Sequence, residues 1–235
     1  MFARELADKT LLKSRTFFNR LAFLKAFISL SDDPDDTIRV FKLETAGARL
    51  AGPEGDAKVL AYMKKYPGAV EMINQRYLAP AYKVEDLKDY ASGTLGHAYY
   101  RHMNDNGFSP DFFPPIEPAD ELSYSRLRLR QTHDIWHVVT GYGVDLPGEL
   151  ALQAFYLGQY PMVFPALLVS SVVLHVATRK PRELTRIFDG LTEGWQRGKA
   201  AKSLWPVRWE EMWDRSLEDI RAEYNLTPAK ALSVA

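Results

Sequence analysis

Apolar residues recur at the spacing of an α-helix along almost the whole chain, and this periodicity limits the fold more than any other feature. Segments with the strict polar and apolar alternation of a half-buried strand are hard to find. With 235 residues, 46% of them hydrophobic, the chain can bury a substantial core. We therefore predict an all-α fold, a single compact multi-helix domain over residues 1–235.

Residues 1–30 carry basic side chains among apolar ones at helical spacing, which predicts a basic amphipathic N-terminal helix. Acidic residues in this segment argue against an organelle transit peptide, and no uninterrupted apolar run marks a secretory signal. Such a helix either lies on a membrane surface or packs as an ordinary domain helix with a solvated basic face. The sequence leaves both interpretations open.

The segment from Met162 to Ala177 is nearly all apolar. Its length of about 16 residues is short of the roughly 20 that a membrane-spanning helix needs. We therefore predict a helix buried in the domain. We interpret His175 within it as a core histidine whose hydrogen bonds are satisfied.

Gly190, Gly194 and Gly198 recur at intervals of four residues and would form one smooth stripe on a helix. Each glycine costs a helix about 1 kcal/mol relative to alanine, so another group is expected to approach the backbone closely there. Two interpretations remain open. The stripe is either the contact face for a second helix or one wall of a groove for a long, flexible apolar ligand.

Residues 106–120 contain four prolines and form the one long irregular stretch that the sequence predicts. Their large apolar side chains favour burial, so we predict an ordered covering loop rather than a flexible linker. The side chains expected to be buried are Phe108, Phe112, Phe113 and Ile116.

Three potential metal ligands stand together in the run His133-Asp134-Ile135-Trp136-His137. If this run is helical, His133 and His137 are one turn apart and Asp134 lies within about 100° of both. All three side chains can therefore face one point.

A fourth potential ligand, Glu149, follows in the next predicted helix. Asp145 and Pro147 are typical of the cap and the first turn of a helix, which places Glu149 near its start. We predict that residues 123–160 form the two helices of a metal site.

The absence of cysteine excludes a zinc–thiolate site, a disulfide framework and a cysteine nucleophile. Two imidazoles and two carboxylates make a nitrogen and oxygen site that suits zinc, iron(II) or manganese. Thirty basic and thirty acidic residues cancel, so no nucleic-acid partner is expected.

The remaining histidines offer few further ligands. His97 and His102 are five residues apart, which separates them by some 140° on a helix, so we predict that they are unrelated to the central site. A phosphohydrolase of the His-Asp class, which needs further ligands on several helices, is therefore disfavoured. A zinc peptidase is also disfavoured, because it would carry glutamate at the position of Asp134.

The residues around the metal motif resemble the COQ-four family of ubiquinone (coenzyme Q) biosynthesis proteins. The family's metal motif is His-Asp, two residues, His, eleven residues, Glu, and every position is occupied here. The resemblance covers roughly residues 10–220 in consistent order. It rests on Arg130 to Tyr142 as one block, Glu149, Gln153-Ala154-Phe155, Gly93-Thr94-Leu95-Gly96 with Tyr99, Gly194-Trp195 with Gly198, and Trp209-Glu210.

The resemblance implies an all-helical fold, a bound divalent metal usually described as zinc, and an apolar ligand cavity that can hold a polyprenyl tail. It also implies action at a membrane, in one of two roles in ubiquinone biosynthesis. The first is metal-dependent oxidative decarboxylation of a polyprenyl-benzoate intermediate, in which a hydroxyl replaces the ring carboxylate. The alternative is a non-catalytic lipid-binding scaffold that organises the coenzyme Q biosynthetic complex and whose metal is structural.

For the catalytic role, we expect His133, Asp134, His137 and Glu149 to hold the metal, which would act as a Lewis acid on the substrate. Zinc is the first expectation, and iron or manganese the alternatives. Catalytic roles are expected for Glu149 and Asp134. If only three of the four residues bind the metal at once, the fourth can accept a proton, and Glu149 is the first candidate because it follows a turn and can move.

The implied partners are a polyprenylated aromatic quinone precursor, a membrane surface, other coenzyme Q biosynthesis proteins and a second copy of the chain in a homodimer. Because the helical domain begins almost at Met1, we expect a peripheral protein on the cytoplasmic face of a bacterial inner membrane. In a eukaryote, the corresponding place is the matrix face of the mitochondrial inner membrane.

Overall fold

The computed structural model describes residues 2–112 and 115–226, with side chains from residue 16 onwards. No β-strand is present in these ranges, so the predicted all-α fold is confirmed, and the helices pack into one compact domain. The α-helices are α1 Phe2–Asp32, α2 Thr37–Met63, α3 Ala69–Gln75, α4 Leu95–Asn106, α5 Glu121–Thr140, α6 Leu146–Gln159, α7 Val163–Arg179, α8 Leu184–Ala200 and α9 Leu217–Tyr224. Short 3₁₀ helices occur at Val84–Asp89, Pro181–Glu183 and Trp209–Glu211.

The larger hydrophobic core forms around α5. Tyr124, Ile135, Trp136 and Val139 of this helix are fully buried among side chains of α3, α4, α6 and the segment after α8. A smaller cluster joins α6, α7 and α8. α5 therefore packs against elements from many parts of the chain.

Arg128 of α5 is fully buried and is paired with Glu210 in the last 3₁₀ helix. Its Nη1 donates to Glu210 Oε1 at 2.8 Å and its Nη2 donates to Oε2 at 3.2 Å, a bidentate arrangement. Removal of one partner would leave an uncompensated buried charge, at a cost of about 3–5 kcal/mol. The pair therefore ties α5 to the C-terminal part of the fold.

Two further arginines bind the carbonyl groups at the end of α5. Arg221 of α9 donates to the carbonyl oxygens of Val138 and Val139, both at 2.9 Å. Arg197 of α8 donates from Nη2 to the carbonyl oxygen of Thr140 at 2.6 Å. The last carbonyls of a helix have no partner within it, and its dipole favours cations at this end. Side chains from α8 and α9 thus fix the end of α5 that carries the metal motif.

α6 and α8 approach each other closely along the glycine stripe. A Cβ atom on Gly194 would overlap the carbonyl oxygen of Ala151, and one on Gly198 would likewise meet the backbone of α6. The contact is reciprocal, because a Cβ on Gly158 of α6 would lie 2.6 Å from the carbonyl oxygen of Trp195. Of the two interpretations of the stripe, the structure supports the helix contact.

α7 packs against α1, α2, α6 and α8, while one of its faces, at Ala166, Ser170 and Leu174, is exposed. The predicted burial of this whole apolar helix is wrong, because its outer side has no covering neighbour among the described residues. His175 Nδ1 lies 2.8 Å from the carbonyl oxygen of Ser31, as expected for a histidine with satisfied hydrogen bonds. No helix in the described ranges is long and apolar enough to cross a membrane. The buried residues of α7 are Pro165, Ser171, Val172 and Val176.

The Pro-rich segment packs on the outside of the domain. The ring of Phe108 contacts the ring of His102 edge-on at 5.8 Å, and Phe112 rests against α2. Both phenyl rings remain exposed, so their predicted burial is wrong. They lie against the surface of the helices and are not inserted between them. Phe113 lies outside the described residues.

An open groove of about 590 Å³ lies between α1 and α2. Its lining combines apolar side chains such as Phe41 with the cations Lys25, Lys42 and Arg49. The apolar ligand cavity that the resemblance implies is not shown among the described side chains.

Replacement of Gly194 by alanine is expected to lower the free energy of unfolding by about 2–3 kcal/mol, because the added methyl group forces α6 and α8 apart. At an exposed helix position, replacement of glycine by alanine would instead raise the free energy of unfolding by about 1 kcal/mol. Urea unfolding followed by circular dichroism measures the difference. The control is Gln196→Ala, at an exposed position of α8, which should change stability by less than about 0.5 kcal/mol. A stabilised Gly194→Ala variant would contradict the close contact.

Candidate metal centre

The turn between α5 and α6 brings the two halves of the motif together. α5 ends at Gly141, whose φ of +79° is in the left-handed region. Asp145 caps α6 as predicted and accepts a hydrogen bond from the backbone nitrogen of Gly148 at 3.2 Å. A Cβ on Gly148 would overlap the carbonyl oxygen of Gly143, so the turn is tight. Glu149 consequently lies in the first turn of α6, facing back toward α5.

His133, His137 and Glu149 form a group whose ligand atoms all lie within 4.8 Å of one another. His137 Nε2 is 3.3 Å from His133 Nε2 and 3.2 Å from Glu149 Oε1. His133 Nε2 is 3.8 Å from Glu149 Oε2. Ligands that share one metal at the usual bond lengths are separated by about 3–3.5 Å. Two imidazoles and a carboxylate in this arrangement fit zinc, iron(II) or manganese.

His137 is oriented by a hydrogen bond on the side away from the group. Its Nδ1 lies 3.0 Å from the carbonyl oxygen of Tyr142. A carbonyl oxygen can only accept, so Nδ1 carries the hydrogen and Nε2 faces Glu149. The ring of Tyr142 is itself held by the guanidinium of Arg197, 4.6 Å from the ring centre.

Tyr156 of α6 orients the other histidine. Its hydroxyl lies 3.3 Å from His133 Nδ1, and the two rings are stacked with an interplanar angle of 13°. Tyr156 also stacks on Trp136 at 4.4 Å. The spacing of the metal motif did not predict a role for Tyr156. Its position two turns after Glu149, on the same face of α6, is the signal that could have found it.

Asp134 is not a member of the group, and its Oδ1 lies 3.8 Å from His102 Nε2. The ring of His102 also lies 5.5 Å from the ring of His137, at an interplanar angle of 21°. The prediction that His102 is unrelated to the site is therefore wrong. The contact between α4 and α5 places it there, and spacing within one helix carries no information about such a contact. His97 contacts the carbonyl oxygen of Lys88 instead.

The group is buried on one side and open to solvent on the other. The side chain of His137 is 1% exposed, whereas that of Glu149 is 35% exposed. Structural zinc sites are closed by four protein ligands, whereas catalytic sites keep an open position. The exposed side of this group leaves such a position for water or a substrate oxygen.

The charges of the group shift the pKa values of its members in opposite directions. Burial disfavours the imidazolium of His137, but its hydrogen bond with Glu149 and the charge of that carboxylate outweigh burial and raise the pKa of His137. Burial and the positive charge of His137 lower the pKa of His133. Burial acts to raise the pKa of Glu149, but both histidines outweigh it and lower that pKa. His137 Nε2 and Glu149 Oε1 lie 3.2 Å apart and form an ion pair when His137 is protonated, and a bound metal would take the place of that proton.

In protein freed of metal by a chelator, we expect His137 to titrate above the ordinary histidine pKa and His133 to titrate below it. Charged His137 stabilises the folded state, so this stabilisation is present at low pH and lost as the pH rises through the raised pKa of His137. NMR titration of the imidazole resonances measures both values.

The variant Glu149→Gln should lower the pKa of His137, because it removes the neighbouring negative charge. Glu218→Gln, which removes an exposed carboxylate on α9, should leave it unchanged. Equal pKa values for His133 and His137 in the metal-free protein would contradict the described electrostatics.

Three comparisons relate the chain to known proteins. The family model of the coenzyme Q (ubiquinone) biosynthesis protein Coq4 matches residues 26–230. The mitochondrial ubiquinone biosynthesis protein COQ4 of Lachancea thermotolerans is 30% identical over 148 residues, which are 62% of this chain and 44% of that protein. The corresponding protein of Laccaria bicolor is 29% identical over 212 residues, 88% of this chain and 68% of that protein. The chain thus spans about half the length of several curated relatives that it matches.

A solved structure extends the comparison to the fold. The crystal structure of a Nostoc punctiforme protein, provisionally assigned to ubiquinone biosynthesis, superposes with a TM-score of 0.78 and 28% sequence identity. The match covers 89% of this chain and 97% of that chain. The residues matched by the family model include all of α2 to α9 and thus the complete metal group.

Proposed function

This chain belongs to the Coq4 family of coenzyme Q (ubiquinone) biosynthesis proteins, and on that premise we propose its activity. The proposed reaction is the metal-dependent oxidative decarboxylation of a polyprenylated benzoate in ubiquinone biosynthesis, with dioxygen as the oxidant. The ring carboxylic acid, dioxygen and one water molecule give the hydroxylated ring, carbon dioxide and hydrogen peroxide, so a hydroxyl replaces the carboxylate while dioxygen accepts two electrons. The observation that carries the proposal is the group of His133, His137 and Glu149, buried on one side and open on the other.

The proposed metal is divalent and is held by His133, His137 and Glu149, with Asp134 as the fourth ligand that the motif predicts. Zinc is the first choice, and iron or manganese suits the same nitrogen and oxygen donors. When bound, the metal supplies Lewis acidity toward the carboxylate or phenolate oxygen of the substrate. His137 donates a hydrogen bond to the carbonyl oxygen of Tyr142, and His133 Nδ1 contacts the hydroxyl of Tyr156; both contacts orient the imidazoles for metal binding.

Glu149 is the proposed proton acceptor. It is the more exposed of the two carboxylates at the site and lies on the side from which a substrate would approach. If only three of the four residues bind the metal at once, Glu149 can accept the phenolic proton of that substrate. Asp134 is the second candidate. Burial acts to raise its pKa, but contact with His102 and the charges of the neighbouring histidines outweigh burial and lower it.

The positions of the main stabilising contacts favour a catalytic metal over a structural one. α5 is held by the Arg128–Glu210 pair, and α6 is held by its glycine contact with α8. These contacts do not involve the metal group. Loss of a metal ligand should therefore leave a folded protein, whereas a scaffold with a structural metal should unfold.

A membrane surface is the proposed place of action, with α1 as the contact. α1 carries a stripe of apolar side chains that are about half exposed, and burial of the exposed part of each would contribute about 1–2 kcal/mol. The protein would then be peripheral, on the cytoplasmic face of a bacterial inner membrane or the matrix face of a mitochondrial one. Other coenzyme Q biosynthesis proteins and a second copy of the chain are the proposed protein partners. The stripe consists of Phe17, Phe18, Leu21, Leu24 and Ile28.

Purified protein of known metal content is expected to convert prenylated 4-hydroxybenzoate, in the presence of dioxygen, into a product that has lost the carboxylate and gained a hydroxyl. Mass spectrometry detects this change. His137→Ala should reduce turnover by on the order of a hundredfold or more, because it removes a metal ligand. His97→Ala, which changes a histidine outside the site, should retain turnover.

The His137→Ala variant should also remain folded, with a cooperative thermal transition that lies below that of metal-free wild type because a buried ring and its hydrogen bond are lost. Wild-type protein that contains metal and binds the prenylated ring, yet shows no turnover with or without partner proteins, would contradict the enzymatic proposal. An unfolded His137→Ala variant together with such inactivity would favour the scaffold.

The double variant Leu21→Glu, Leu24→Glu is expected to lose sedimentation with vesicles of equal parts phosphatidylcholine and phosphatidylglycerol, because it places charge on the exposed stripe of α1. Val70→Glu, Leu78→Glu adds the same charge at exposed positions elsewhere and should still sediment. Equal sedimentation of both double variants would contradict the proposed role of α1.

A further inference from the structure

We propose that His102 is a positioning residue of the metal centre, which holds one carboxylate oxygen of Asp134 and thereby directs the other toward the metal. The inference rests on the proposed metal binding and adds to it a residue that the sequence motif does not contain. It is carried by the placement of His102 on α4, a helix that supplies none of the predicted ligands.

His102 contacts two other rings and is largely buried. Its imidazole lies 5.5 Å from that of His137, and the ring of Phe108 meets it edge-on at 5.8 Å. The side chain of His102 is only 13% exposed. These contacts and its burial restrict the rotation of the ring and therefore the direction of its Nε2.

The Nε2 atom of His102 is buried and makes no hydrogen bond at the observed geometry. A buried polar atom without a partner lowers the stability of the folded state by about 1–3 kcal/mol. A hydrogen bond from His102 Nε2 to a nearby acceptor would remove this cost. Asp134 Oδ1 lies 3.8 Å away, about 1 Å beyond hydrogen-bond distance. A small rotation of the Asp134 side chain would close this gap. A carboxylate only accepts, so His102 would donate from Nε2.

The arrangement favours positioning over direct ligation. The ligand atoms that lie within 4.8 Å of one another belong to His133, His137 and Glu149, and His102 is outside this group. A carboxylate has two oxygens, so Asp134 can accept from His102 with one and bind the metal with the other. Hydrogen bonds of this kind to metal-binding carboxylates commonly change metal affinity by about 10-fold to 100-fold.

His102 would therefore complete a pattern already present at the site. The backbone of Tyr142 fixes His137, and the hydroxyl of Tyr156 contacts His133. In each case a group outside the predicted ligand set determines the orientation of a ligand. His102 would do the same for Asp134.

The test is zinc affinity of the full chain, measured by competition with a chromophoric chelator. His102→Phe keeps a ring between its neighbours but removes the donor, and should weaken zinc binding about 10-fold. His102→Gln, whose side-chain amide can still donate, should bind within about threefold of wild type. His97→Phe, on the same helix but outside the site, is the matched control and should bind as wild type does. Circular dichroism confirms that each variant is folded.

A double-mutant cycle identifies the residue through which His102 acts. In an Asp134→Asn background, His102→Phe should have almost no further effect on zinc affinity. If His102→Phe binds zinc as wild type does, or loses the same zinc affinity in the wild-type and Asp134→Asn backgrounds, the positioning role is overturned while metal binding stands. If His102→Phe loses as much zinc affinity as His133→Ala, the positioning role is also overturned, and direct ligation by His102 is favoured. Failure of the wild-type protein to bind zinc would overturn both this inference and the zinc site on which it rests.

Discussion

The close contact between α6 and α8 sets the geometry on which the candidate site depends. Where two helix backbones meet without side chains between them, neither can shift without opening the contact. Gly194 of α8 meets α6 at Ala151, two residues after Glu149, so this contact fixes the position of Glu149 relative to α8. Arg197, also on α8, donates to the carbonyl oxygen of Thr140 at the end of α5. α8 therefore positions both halves of the metal group without supplying a ligand.

The site combines rigid support with an open face. α5 is held at its middle by the buried Arg128–Glu210 pair and at its end by arginines from α8 and α9. These contacts fix the two histidines on one side of the site, while the carboxylate of Glu149 remains partly exposed on the other. Precisely held ligands beside an accessible position are what metal catalysis requires. The geometry of the group therefore supports the proposed metal-dependent reaction.

The sequence predicted those features that depend on local spacing. Helical periodicity identified the fold, and the cap at Asp145 placed Glu149 correctly, because both follow from interactions within a few residues. Features that depend on packing between helices were missed. His102 reaches the site only through the contact of α4 with α5. The apolar sequence of α7 indicated burial but not how many of its sides would be covered. The glycine stripe predicted a close approach without identifying what approaches.

The central claim is that His133, His137 and Glu149 hold a divalent metal, and diffraction at an absorption edge tests it most directly. Crystals of protein loaded with zinc would be measured on both sides of the zinc edge. The account predicts one strong anomalous peak within bonding distance of Nε2 of both histidines and of the Glu149 carboxylate. A peak elsewhere, or none between these residues in protein that contains one zinc per chain, would contradict it.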